Sequence, residues 1–121
     1  MKTLLFVYNA DSGVLNSIKD GIIKITDPEG YECRLCALTF GLATMKGAWR
    51  KFVKSLPVES RFLHRDEFID KYGDEATLPA TFVEEGGELT LLISSDEYNE
   101  LTNLRGLQFL VRTKLRMHGI I

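Results

Sequence analysis

The sequence predicts a mixed α/β domain whose central sheet joins parallel strands to an antiparallel hairpin. Three observations predict it. Leu4 to Tyr8 is an almost continuous apolar run, as a central strand buried on both faces reads. Helical patterns separate that run from a second strand at Glu59 to His64, and strands separated by helices imply right-handed parallel crossovers. Thr81-Phe82-Val83 and Leu89 to Ile93 flank Glu84-Glu85-Gly86-Gly87, a glycine-containing connection of hairpin length.

The elements follow in order. After the first strand, Asn9-Ala10-Asp11-Ser12-Gly13 forms a turn, and Asp11 or Ser12 can cap a helix by accepting from its orphan N–H groups. Val14, Leu15, Ile18, Ile22 and Ile25 fall at helical spacing until Asp27-Pro28-Glu29-Gly30 ends the run. Tyr31 to Phe40 reads as a short strand or an ordered loop. Thr39 to Thr44 leads into a second helix, where Met45, Trp49, Phe52, Val53 and Leu56 make an apolar stripe that Pro57 closes. Phe62 and Leu63 anchor the next strand. A short helix then runs from Arg65 to Tyr72 and stops at Gly73. Ser94 and Glu97 form a capping box for a last helix carrying Tyr98, Leu101, Leu104, Leu107, Phe109, Leu110, Val111 and Leu115, with Gly106 as the point of kinking or division.

Composition bounds the function. The chain has 121 residues, 45% hydrophobic and 26% charged, which describes one globular domain spanning 1–121. Its net charge of −2 argues against a dedicated nucleic-acid or polybasic membrane binder. No apolar run reaches the roughly 20 residues that span a bilayer. The N-terminal apolar stretch is too short for a signal peptide, so the expected compartment is the reducing cytoplasm. There Cys33 and Cys36 are thiols by default.

Val58 to Leu92 resembles the second half of a thioredoxin-like domain. The pieces that carry the resemblance are Phe62-Leu63-His64-Arg65-Asp66, a helix ending in Lys71-Tyr72-Gly73, Leu78-Pro79-Ala80-Thr81-Phe82-Val83, a glycine turn, and Glu88-Leu89-Thr90-Leu91-Leu92. The resemblance implies a three-layer sandwich around the mixed sheet. It also implies a cis proline at Pro79, in a loop beside a redox site that offers backbone hydrogen bonds to an extended substrate. The chain departs from that superfamily at the front. The usual Cys-x-x-Cys position, just after the first strand, holds Asn9-Ala10-Asp11-Ser12-Gly13, and the only Cys-x-x-Cys comes about one helix later.

Cys33-Arg34-Leu35-Cys36 is the first candidate site. On a turn or helix start the two sulfurs can approach to bonding distance, and a thiolate at a helix N-terminus is activated. In a flat strand, residues i and i+3 point to opposite faces and the pair cannot close. Three readings stay open: a redox pair, a pair of packed small hydrophobes, and half of a metal site completed across a dimer. The partner implied by the first is a protein or small-molecule disulfide or thiol, with no cofactor. Leu78 and Pro79 are the expected substrate-positioning residues, and Ser12 is the polar group to test in the first loop. His64, beside Arg65 and Asp66, reads chiefly as a strand-end histidine paired with a carboxylate, and His118 as exposed. The basic stretches Lys46 to Lys54 and Arg105 to Arg116 read as solvated helix faces without interleaved exposed aromatics.

Overall fold

The structure, a computed structural model, describes residues 1–10, 34–39 and 45–121. The helix expected from Asp11 to Ile25 lies outside these residues, as do Ser12 and Cys33.

Strand β1 (Lys2–Val7) is the spine of the sheet. It runs parallel to β2 (Glu59–Leu63) with Phe6 opposite Phe62, and antiparallel to β3 (Ala80–Glu85) with Leu5 opposite Phe82. β3 turns back into β4 (Glu88–Ile93), so the order across the sheet is β2-β1-β3-β4. The hairpin loop is shorter than expected: only Gly86 and Gly87 lie outside the strands, both with positive φ, 63° and 86°. Two such residues match the right-handed twist of the flanking strands.

Successive residues of β1 feed opposite layers. Leu4, Phe6 and Tyr8 join one core with Leu35 and Cys36, Trp49 and Phe52, and Leu107, Val111 and Leu115. Leu5 and Val7 join the other with Phe68, Ala80 and Phe82. At about 1.5–3 kcal/mol for each fully buried Leu, Phe or Val, Leu4, Leu5, Phe6 and Val7 contribute about 6–12 kcal/mol of gross transfer. That is comparable to the whole net stability of a domain, about 5–15 kcal/mol. The β1 assignment is therefore the one on which the fold depends most.

Helices cover both faces. On the first lie α1 (Arg34–Thr39), α2 (Gly47–Ser55), α4 (Ser95–Asn99) and α5 (Leu104–Met117). On the second, α3 (Arg65–Tyr72) packs Phe68 on Phe82 with ring centroids 5.2 Å apart. The expected stripe of α2 is present: Trp49, Phe52 and Val53 are buried, and Phe6 meets the Trp49 ring edge-on at 5.3 Å. No helix among the described residues is long and apolar enough to cross a membrane.

Three expectations are corrected. Arg34–Thr39 is helical, neither strand nor loop, because Leu35, Cys36, Leu38 and Thr39 bury one helical face over too few turns to register as a period. The last helix divides at Glu100 to Asn103, not at Gly106. Asn103 caps α5 by accepting from the Gly106 N–H at 2.8 Å, so Gly106 sits in the first turn of an intact helix. Phe109 is not a core residue: it is 74% exposed, between the exposed Arg105 and Arg112.

Candidate functional site

Cys36 is the third residue of α1 and is fully buried. Its helix is held at the far end by two bonds. The Thr39 hydroxyl donates to the Leu35 carbonyl at 2.7 Å, and the Lys46 N–H donates to the Thr39 carbonyl at 2.7 Å, tying α1 to the start of α2. Cys33, the residue two before Leu35 in the chain, lies outside the described residues.

α1 packs against α4 and α5. α4 begins at a reciprocal cap, as the Ser94-x-x-Glu97 spacing predicts: the Glu97 N–H donates to the Ser94 hydroxyl at 3.2 Å, and the Ser94 N–H donates to the Glu97 carboxylate at 3.0 Å. Two α4 side chains then reach the segment leading into β3. The Ser95 hydroxyl donates to the Leu78 carbonyl at 3.4 Å. The Tyr98 hydroxyl bonds the Thr81 hydroxyl, with both side chains buried. Burial pushes the Tyr98 phenol well above its ordinary pKa, so it stays neutral. Tyr98 also belongs to the same core as Cys36. Thus α4 touches the cysteine helix on one side and the Leu78-Pro79 segment on the other.

The Leu78–Pro79 peptide bond is cis, the isomer that the resemblance implies at this position. Pro79 is buried, whereas Leu78 is half-buried and packs on the second core with Phe68 and Phe82. The sequence gives Ser95, Tyr98 and Thr81 no site role. The capping box announces the helix of Ser95 and Tyr98, but only the folded chain puts that helix beside Leu78 and Thr81.

The carboxyl ends of the two parallel strands form a second locus. Tyr8 N–H donates to the Leu63 carbonyl and Arg65 N–H to the Ala10 carbonyl, both at 2.9 Å, so the chain leaves the sheet at Asn9-Ala10 next to His64. His64 caps α3. Its N–H donates to the Glu67 carboxylate at 2.8 Å, and its Nδ1 meets the same oxygen. That backbone hydrogen bond is the largest force holding the Glu67 carboxyl below its ordinary value. The histidine–carboxylate pairing expected here therefore exists, with Glu67 as partner. His118 is exposed at the end of α5, as expected. Among the described residues, no three His, Cys, Asp or Glu side chains gather as a metal site.

No family model, curated protein sequence or solved structure matches this chain.

Proposed function

We propose that the chain is a thioredoxin-like thiol–disulfide exchange protein of the cytoplasm, acting through Cys33 and Cys36 with the Leu78-Pro79 segment positioning its substrate. The observation that carries this reading is the helical backbone at Cys36. With Arg34 to Cys36 helical, the flat strand that would point the sulfurs of a Cys-x-x-Cys apart is not the conformation of this part of the motif. The parallel β1–β2 crossover, the antiparallel β3–β4 hairpin and helices on both faces agree with the architecture that the resemblance implies.

In the reduced protein, the Cys33 thiolate attacks one sulfur of a substrate disulfide, and the other substrate sulfur leaves as a thiolate. The Cys36 thiolate then attacks the Cys33 sulfur and releases the second substrate thiolate. The substrate gains two electrons, Cys33 and Cys36 end as a disulfide, and a second thiol compound restores the pair. The full burial of Cys36 suits the resolving role, since it attacks only a sulfur three residues away.

The same burial favours a second reading, a non-enzymatic domain in which Cys36 is packing. Thiol titration of the native protein before and after mild oxidation, with mass spectrometry, separates the two. Exchange chemistry requires two thiols to disappear together with the loss of two hydrogens per chain. Two thiols that persist under oxidant, with Cys33→Ser/Cys36→Ser leaving reactivity toward oxidised glutathione unchanged, would sink the redox reading.

A further inference from the structure

The two helices α2 and α5 divide the charge of the molecule sharply. With their caps they hold 8 of the 15 lysines and arginines and none of the 17 aspartates and glutamates. All 17 acids therefore share the rest of the chain with only 7 bases. On α2 and its cap, Lys46, Arg50, Lys51 and Lys54 are all exposed. On α5, Arg105, Arg112 and Arg116 are exposed at i, i+7 and i+11, one stripe of a helix. Among the described residues, Lys114, the eighth cation, is the one on this face with an ion pair, to Glu97 at 2.6 Å. The two strips adjoin, because α2 packs against α5 and the Arg112 guanidinium lies 5.1 Å over the Phe52 ring. Two large apolar side chains stand in this field, Phe109 at 74% and Met117 at 71% exposure.

We propose that the α2–α5 face docks an acidic amphipathic helix of a partner protein, which sets its carboxylates on the cations and its apolar side chains on Phe109 and Met117. Three features select that occupant. The face is small: α5 has 14 residues, about 21 Å at 1.5 Å per residue, which is the length of a short helix. A long polyanion would run off this patch onto the acidic remainder of the molecule. Single-stranded nucleic acid also binds through successive aromatic platforms, and this face exposes one aromatic and one thioether. Phe109 and Met117 are spaced about 12 Å apart along α5, as apolar anchors for an amphipathic helix are, and a flexible methionine adapts to aliphatic partners. A merely solvated basic face would leave Phe109 without a role. This surface is independent of the cysteine chemistry.

The test uses the full chain and a fluorescein-labelled 18-residue helical peptide, with glutamate on one face and leucine and phenylalanine at i, i+3, i+4 and i+7 on the other. Anisotropy is expected to show saturable binding that weakens as salt rises. Arg105→Glu/Arg116→Glu and, separately, Lys51→Glu/Lys54→Glu each weaken it about tenfold or more, Phe109→Ala weakens it several-fold, and Lys71→Glu on α3 leaves it unchanged. Both charge reversals change exposed side chains, so far-UV circular dichroism stays as in the parent. Tighter binding of a 20-nucleotide oligo(U) or of vesicles with one-quarter phosphatidylserine would overturn the proposal. So would equal binding of a scrambled peptide of the same composition, or no saturation by the amphipathic one.

Discussion

Removing the Tyr98 hydroxyl tests whether α4 is fastened to the sheet as described. Tyr98→Phe keeps the ring in the main core but leaves the Thr81 hydroxyl, itself fully buried, without its partner. An unpaired buried hydroxyl costs about 1–3 kcal/mol. For a chain of this size that is a fall in melting temperature of roughly 3–6 °C per kcal/mol. Thr81→Val is the complementary change, and it strands the phenol in the same way. The double variant removes both polar groups together, so its loss should be smaller than the sum of the single losses by about 1 kcal/mol or more. Urea unfolding is the assay. The midpoint should move while the slope stays constant, because the exposed surface on unfolding is unchanged. If Tyr98→Phe lies within about 0.3 kcal/mol of the parent, or the two changes simply add, the hydroxyl pair is not what holds α4 to β3, and the argument fails.

Other perturbations have equally definite outcomes. Gly87→Ala places a side chain at φ 86° where open space surrounds the new methyl, so the loss of about 1–2 kcal/mol seen in urea comes from backbone strain alone. Asn103→Ala removes the cap of α5 and should cost about 0.5–2 kcal/mol, with the hydrogen exchange of the Gly106 amide accelerated most. Glu67 and Glu97 both titrate below their ordinary 4.5 in the folded state. Burial pushes Glu97 up, but the Lys114 ammonium and the Ser94 N–H outweigh it. Depressed carboxyl values contribute stability that is present above about pH 4.5 and lost as pH falls through the lower folded value. Urea midpoints measured downward from pH 6 should therefore drop below about pH 4.5, and less steeply in Glu67→Gln.

Much of the frame was legible because its signals are local. The run Leu4 to Tyr8 needs no partner to read as a strand buried on both faces, and Gly73 ends α3 at φ 92°, where a side chain is disfavoured. The pattern Leu35, Cys36, Leu38, Thr39 is one helical face, but six residues are too few to tell it from an apolar strand. At α5 the sequence reading took Gly106 as the point of division, whereas the Asn103 cap, which binds the Gly106 N–H, starts the helix before it. The candidate site was half-legible. Cys-x-x-Cys spacing is visible in any sequence, whereas the bridge from α1 through Tyr98 and Ser95 to Leu78 depends on contacts between segments about 60 residues apart at α1 and 17 residues apart at Leu78. The exposure of Phe109 was hidden for the same reason. Its helix has apolar residues on several sides, and only docking on β4 and α2 shows which side faces out.

The position of β1 in the chain has a consequence for synthesis. It is made before either of its sheet neighbours, and its second neighbour, β3, ends only at Glu85. At about 5–20 residues per second, the apolar stretch Leu4-Leu5-Phe6-Val7-Tyr8 waits roughly 4–15 s for its β3-facing edge to be covered. A nascent chain stalled between Leu63 and Ala80 therefore displays an apolar strand with one open edge, the kind of surface on which chains aggregate. How long that edge stays open is thus set by when β3 arrives, whatever the stability of the finished sheet.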